Sequence, residues 1–245
     1  MKPFRALLPL ILLLAPHLYS QQAGSRSART IASGQNADGG RPAAAKIPGK
    51  AEKEFQRGED AFEKKSYPEA RDHFQKAIDL YPNFDAAYNG LGATLAQTGD
   101  FDGAQKAFER SIQVNNNFAQ GYRSLAQVAA HKQDFAKAAN LLEQSLTLQP
   151  LNPDALSHLA QFDYILGKDK SVPELVRKLH TLPHPGQAMA HFAAAASLER
   201  MSKPDEAIGE YTLFLKEAPP ENSLISAAKA AIARCREKLN EPTTQ

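Results

Sequence analysis

The segment "HTLPHPGQAMAH" brings His180, His184 and His191 close together in the chain. Imidazole nitrogens are common zinc ligands, and three of them can hold an ion with one position left open. Two of these histidines fall in a proline-rich stretch, however, and no acid lies between Glu174 and Glu199 to complete a set. We therefore expect a solvated loop and no metal site. Adjacent acids, Glu59 with Asp60 and Asp205 with Glu206, read as solvation and as partners of helix dipoles rather than as acid/base pairs. Cys235 is the single cysteine, so no internal disulfide can form. It lies on the apolar side of a predicted helix, which points to a buried, inert thiol. The sequence holds no G-x-S-x-G, H-E-x-x-H, P-loop or C-x-x-C pattern. No enzyme activity and no cofactor are expected.

The elements that carry these residues belong to a chain of ordinary globular balance, 42% hydrophobic and 23% charged. A formal net charge of +2 is too small to suggest a nucleic-acid partner. Residues 1–20, "MKPFRALLPLILLLAPHLYS", have a basic start, a short apolar run and a polar end, the layout of a secretory signal peptide. The apolar run is too short for a spanning helix. Cleavage near Gln21 or Gly24 is expected, placing the protein in the periplasm or outside the cell with no transmembrane span in the mature chain. Residues 21–50 are rich in Ala, Gly, Ser and Gln and read as a flexible tether.

From residue 51 onward the chain repeats itself. Tyr67, Phe101 and Phe135 are each 34 residues apart, as are Ala70, Ala104 and Ala138. Phe74, Phe108 and Leu142 keep the same interval, and so do Leu91, Leu125 and Leu159. Several independent positions holding one spacing indicate a stack of like elements. Each repeat reads as two helices. Tyr88, Leu91, Gly92 and Leu95 form one stripe, "TGD" at 98–100 interrupts, and Phe101, Ala104, Phe108, Ile112 and Val114 form the second. Ser66 with Glu69, and Ser171 with Glu174, can form capping boxes. Small residues at Gly58, Gly92 and Ala126, and at Ala70, Ala104 and Ala138, mark close helix crossings, with Phe74 and Phe108 filling the space beside them.

This pattern resembles the tetratricopeptide repeat, whose period and small/large residue series it matches. The resemblance implies an all-α fold, a right-handed solenoid of about five helix-turn-helix repeats near 51–84, 85–118, 119–152, 153–187 and 188–221. A capping helix follows over 222–240, then a short tail at 241–245. The fourth repeat is degenerate, with Val172 or Leu175 where a small Ala is expected and a lengthened preceding loop. Tyr88 and Tyr122 stand where the family has Trp. The first helix of each repeat is implied to line the concave side. By that rule the groove offers Phe55, Glu59, Phe62, Asn89, Ala93, Gln97, Arg123, Gln127, His131, Tyr164 and Phe192. Alanines there leave room for a ligand backbone, and Asn89, Arg123 and Gln127 can bind a peptide main chain or carboxylate. The clamp that some family members use for acidic chain ends is absent, since Phe55, Glu59 and Ser124 occupy its positions.

Together these readings predict an exported scaffold that binds another protein or a peptide segment, in an envelope assembly process. A self-assembling structural subunit is one alternative. A metal-binding protein using His180, His184 and His191 is another.

Overall fold

The computed structural model describes residues 47–183 and 187–240. The expected signal peptide, most of the tether, His184 and the tail lie outside them. Among the described residues the chain is helices and connecting turns, with no strand. The helices are α1 (Gly49–Glu63), α2 (Tyr67–Leu80), α3 (Asp85–Gln97), α4 (Phe101–Val114), α5 (Ala119–His131) and α6 (Phe135–Leu148). They continue with α7 (Pro153–Ile165), α8 (Ser171–Leu179), α9 (Ala188–Arg200), α10 (Pro204–Glu217) and α11 (Ile225–Asn240). Helix α1 starts at Gly49, inside the span expected to be tether, because Ile47 already packs on the first hydrophobic cluster.

The chain divides into two compact bodies, one up to Leu148 and one from Gln149. The first body holds three hairpins, α1–α2, α3–α4 and α5–α6. The second holds α7–α8 and α9–α10, with α11 packed against α10.

The glycine and phenylalanine series explains the packing in the first body. A Cβ on Gly58 would lie 2.8 Å from the Phe74 ring, and one on Gly90 would lie 2.5 Å from it. Phe74 is therefore held between α1 of its own hairpin and α3 of the next. Gly92 and Phe108 repeat this arrangement, with a Cβ predicted 2.6 Å from the ring. Ala70, Ala104, Ala138 and Ala207 are fully buried, as close crossings require. Phe55 joins this core, its ring 5.6 Å from Phe74 and 4.9 Å from Phe84.

The turn inside each hairpin carries a second periodic feature that residue types hide. Lys65, Gly99, Gln133 and Gly167 all adopt a left-handed backbone, at 34-residue intervals, and Ser202 follows one residue late. The next residue closes the turn by donating to a carbonyl five back: Ser66 to Ala61 at 2.8 Å, Asp100 to Leu95 at 2.9 Å and Asp134 to Ala129 at 2.9 Å. Lys168 to Asp163 and Lys203 to Leu198 complete the series. This is a Schellman ending, and it satisfies carbonyls that each first helix would otherwise leave open.

Neither expected capping box forms. Ser66 makes no side-chain bond at the start of α2, where Pro68 sits in the first turn. Ser171 instead hydrogen-bonds to Asp163 at 2.5 Å, and Glu174 pairs with Arg177. Asp100 caps α4 directly, accepting from the Gly103 amide at 2.8 Å. The degenerate fourth repeat is visible as a short α8 after the longer turn at 166–170, with Val172 buried where Ala70, Ala104 and Ala138 sit in the earlier repeats and Val176 and Leu179 buried beyond it.

Cys235 is buried and reduced on α11. Burial, reinforced by the nearby Glu199 carboxylate, pushes its thiol pKa up, which disfavours the reactive thiolate. The same Glu199 accepts from Tyr211 at 3.2 Å and pairs with Arg234, tying α11 back to α9 and α10.

Candidate functional site

In the first body, α1 packs beside α3 and α3 beside α5, so the first helices of the hairpins form one layer. In the second body α7 and α9 do the same. The residues that repeat spacing assigns to this layer divide into three groups.

The first group is buried. Phe55 belongs to the core just described. Phe192 packs edge-on to Tyr211 and Phe214, with ring centroids 5.6 and 5.2 Å away. Gln127 is buried within α5. Arg123 is only 8% exposed. Its Nη1 donates to Ser145 Oγ at 3.5 Å and its Nη2 to Gln120 Oε1, while Ser145 Oγ donates to the Ala119 carbonyl at 3.1 Å. These four side chains are largely covered by the protein itself. For Arg123 and Gln127 the reason is that α5 is enclosed along nearly its whole length. Among its residues only Gln120, Tyr122 and His131 keep appreciable exposure.

The second group is partly covered by neighbouring side chains. Phe62 meets the Tyr67 ring edge-on at 5.6 Å, and the Tyr67 hydroxyl donates to Gln97 at 3.4 Å. One repeat later His131 stacks on Phe101 with centroids 3.6 Å apart. The two contacts join equivalent positions of successive hairpins. In the second body the Arg200 guanidinium lies 4.3 Å above the Tyr164 ring and pairs with Asp169. Burial raises the pKa of the Tyr164 phenol, with the Arg200 charge opposing it.

The third group keeps an accessible face. Glu59, Asn89 and Ala93 are part-exposed, and Ala86 lies on the same side of α3. The Oδ1 of Asn89 is buried and accepts no hydrogen bond among the described residues. A buried polar atom without a partner is uncommon and requires a reason.

The histidines are placed differently from the sequence expectation. His180 ends α8, whereas His191 is fully buried within α9 rather than in a loop. The acid missing from the local sequence comes from α10. Glu210 Oε2 is 2.8 Å from His191 Nδ1, Glu210 Oε1 is 3.6 Å from His180 Nε2, and Glu217 Oε1 is 3.6 Å from His191 Nε2.

Residues 61–128 match the tetratricopeptide repeat family model. Solved structures agree over most of the chain. PilF of Pseudomonas aeruginosa superposes with a TM-score of 0.62 at 15% identity, covering 78% of this chain and 90% of its own. YrrB, a tetratricopeptide-repeat protein with an unusual peptide-binding site, gives 0.60 at 15% identity, covering 72% and 90%. The fold is that of tetratricopeptide-repeat solenoids. MamA is also similar, with a TM-score of 0.58, 18% identity and coverage of 69% and 91%. Comparison with curated proteins finds no match. Among the described residues no helix is long and apolar enough to cross a membrane.

Proposed function

We propose that this protein is an exported scaffold that binds a peptide segment or partner protein on the first-helix face of its repeats, in an envelope assembly process. It acts by binding, without a catalytic site. The observation that carries the reading is Asn89. It lies on one side of α3 with Ala86 and Ala93, and its Oδ1 has no hydrogen-bond donor among the described residues. Rotation of the Asn89 amide would bring Oδ1 to the part-exposed side of α3, where a ligand main-chain N–H would supply that donor, while Ala86 and Ala93 leave room for the ligand backbone. The peptide-binding site of YrrB, on the same fold, supports this use of the repeats. A preformed helical face also lowers the ordering cost of binding.

A photo-reactive residue placed at Ala93 should crosslink to a partner in the native envelope fraction. The same residue at Lys106, exposed on α4, should not. Equal labelling at both positions would remove the first-helix face as the site. Crosslinks only between copies of this chain, with a mass that rises with concentration, would favour the self-assembling subunit instead.

The export element of the proposal rests on residues 1–20. N-terminal sequencing of native protein should find a start near Gln21 or Gly24. An intact Met1 in the cytoplasm would overturn it.

A further inference from the structure

We propose that the second body holds a zinc ion at a site built from His180, His191 and Glu210, with Glu217 orienting His191. The proposal is independent of the binding face described above.

The geometry starts from His191. It is a buried imidazole with a carboxylate on each ring nitrogen, Glu210 at 2.8 Å from Nδ1 and Glu217 at 3.6 Å from Nε2. Glu217 is itself anchored, because its Oε2 accepts from the Gln187 amide at 3.1 Å. A histidine that ligates a metal through one nitrogen commonly donates its other N–H to a carboxylate, which fixes the tautomer and the ring. Glu217, 3.6 Å from Nε2, would take that role by closing slightly to hydrogen-bond distance, with Nδ1 on the Glu210 side of the ring.

His180 completes the set. Its ring stacks on His191 with centroids 5.2 Å apart and an interplanar angle of 24°. Its Nε2 lies 3.6 Å from Glu210 Oε1, so one carboxylate reaches both imidazoles. One donor atom from each of His180, His191 and Glu210 falls within 4.8 Å of the others. Donors around a tetrahedral zinc ion, at about 2.0–2.1 Å from the metal, are roughly 3.4 Å apart. Holding an ion therefore needs His180 to move closer, while His191 Nδ1 and Glu210 Oε2, now 2.8 Å apart, part slightly. His180 can move, since it sits at a helix end with a side chain 37% exposed.

The chemistry agrees with the geometry. Two imidazoles and a carboxylate are a nitrogen and oxygen set suited to zinc, with a fourth position open to water. A divalent ion would also balance the charges of Glu210 and Glu217 beside a buried ring. Bound there, it would tie the end of α8 to α9 and α10 and stabilise the second body. His73 in the first body is the natural control. It lies 2.7 Å from Glu54 and 3.9 Å from Glu69, but it belongs to no group of three metal-ligating side chains among the described residues.

The test uses the full chain, stripped with chelator and titrated with Zn2+ alone by calorimetry, with Co2+ as a spectroscopic substitute. We expect one ion per chain, a raised melting temperature and visible Co2+ bands of a four-coordinate site. His180→Ala and Glu210→Gln should abolish uptake at micromolar metal. Glu217→Gln should retain binding with affinity weakened by about 10- to 100-fold. His73→Ala should leave uptake unchanged. Circular dichroism of each metal-free variant separates loss of the site from loss of the fold, and exposed His180 is the substitution least able to disturb folding. Absence of stoichiometric uptake by the wild-type chain, or unchanged uptake in a folded His180→Ala variant, would overturn the proposal.

Discussion

Replacing Arg123 by Glu should lower the melting temperature of the protein by roughly 6–12 °C, before any partner is considered. Arg123 is buried and donates to Gln120 and Ser145, and Ser145 in turn holds the Ala119 carbonyl. A glutamate would set a buried carboxylate against the Gln120 acceptor and leave Ser145 without its donor. Losing a buried charged hydrogen-bonding group in this way costs about 3 kcal/mol or more. Arg123→Met keeps most of the packed stem without introducing a new charge and should lose less. Thermal melts of the two variants check this. If Arg123→Glu melted like wild type while partner binding fell, Arg123 would be a groove residue after all, as its repeat position implies.

The second large effect is expected at Ala104. Its side chain is fully buried on α4, one turn before Phe108, whose ring packs against Gly92 of α3. A phenylalanine there cannot be accommodated without parting the helices, and overpacking of this kind costs roughly 1–3 kcal/mol or more. The corresponding fall in melting temperature is about 2–4 °C per kcal/mol for a chain of this size. Ala93→Phe places the same ring on a part-exposed face of α3 and should cost far less. Equal melting temperatures for the two variants would mean that the assignment of buried and open faces is wrong.

Both predictions concern positions, an arginine and two alanines, whose residue types alone do not tell what surrounds them. The repeat itself was legible because its information is local and redundant. Phe74 and Phe108 recur with Gly58 and Gly92 since each ring needs a residue without a side chain opposite it. That requirement recurs in the first two hairpins and so appears as a period, which Ala126 and Leu142 continue in smaller form in the third. The apolar stripe of α11 was legible for a related reason, because a terminal helix buries one face only and Ala228, Ala231, Ile232 and Cys235 mark it.

The left-handed turn residues share the same period but could not be read as a series. Lys65, Gly99, Gln133, Gly167 and Ser202 have little chemistry in common, and only the backbone conformation unites them. The failed capping boxes have a similar origin. Ser171 found a closer partner in Asp163, a residue that the turn at 166–170 brings back to it.

The sequence alone therefore determined the hairpin, its repetition and the helices' apolar faces, because these follow from 3.6-residue periodicity and from pairs of residues within one or two hairpins. Tertiary structure alone decided which first-helix side chains stay accessible. Enclosure of α5 buries Arg123 and Gln127, whereas Asn89 and Ala93 at equivalent depth in α3 remain part-exposed. It also decided the surroundings of His191. Glu210 and Glu217 are remote in the chain, and only the packing of α10 against α9 carries their carboxylates to the ring. Burial and site assembly depend on neighbours from other helices, and no local pattern of residue types specifies who those neighbours are.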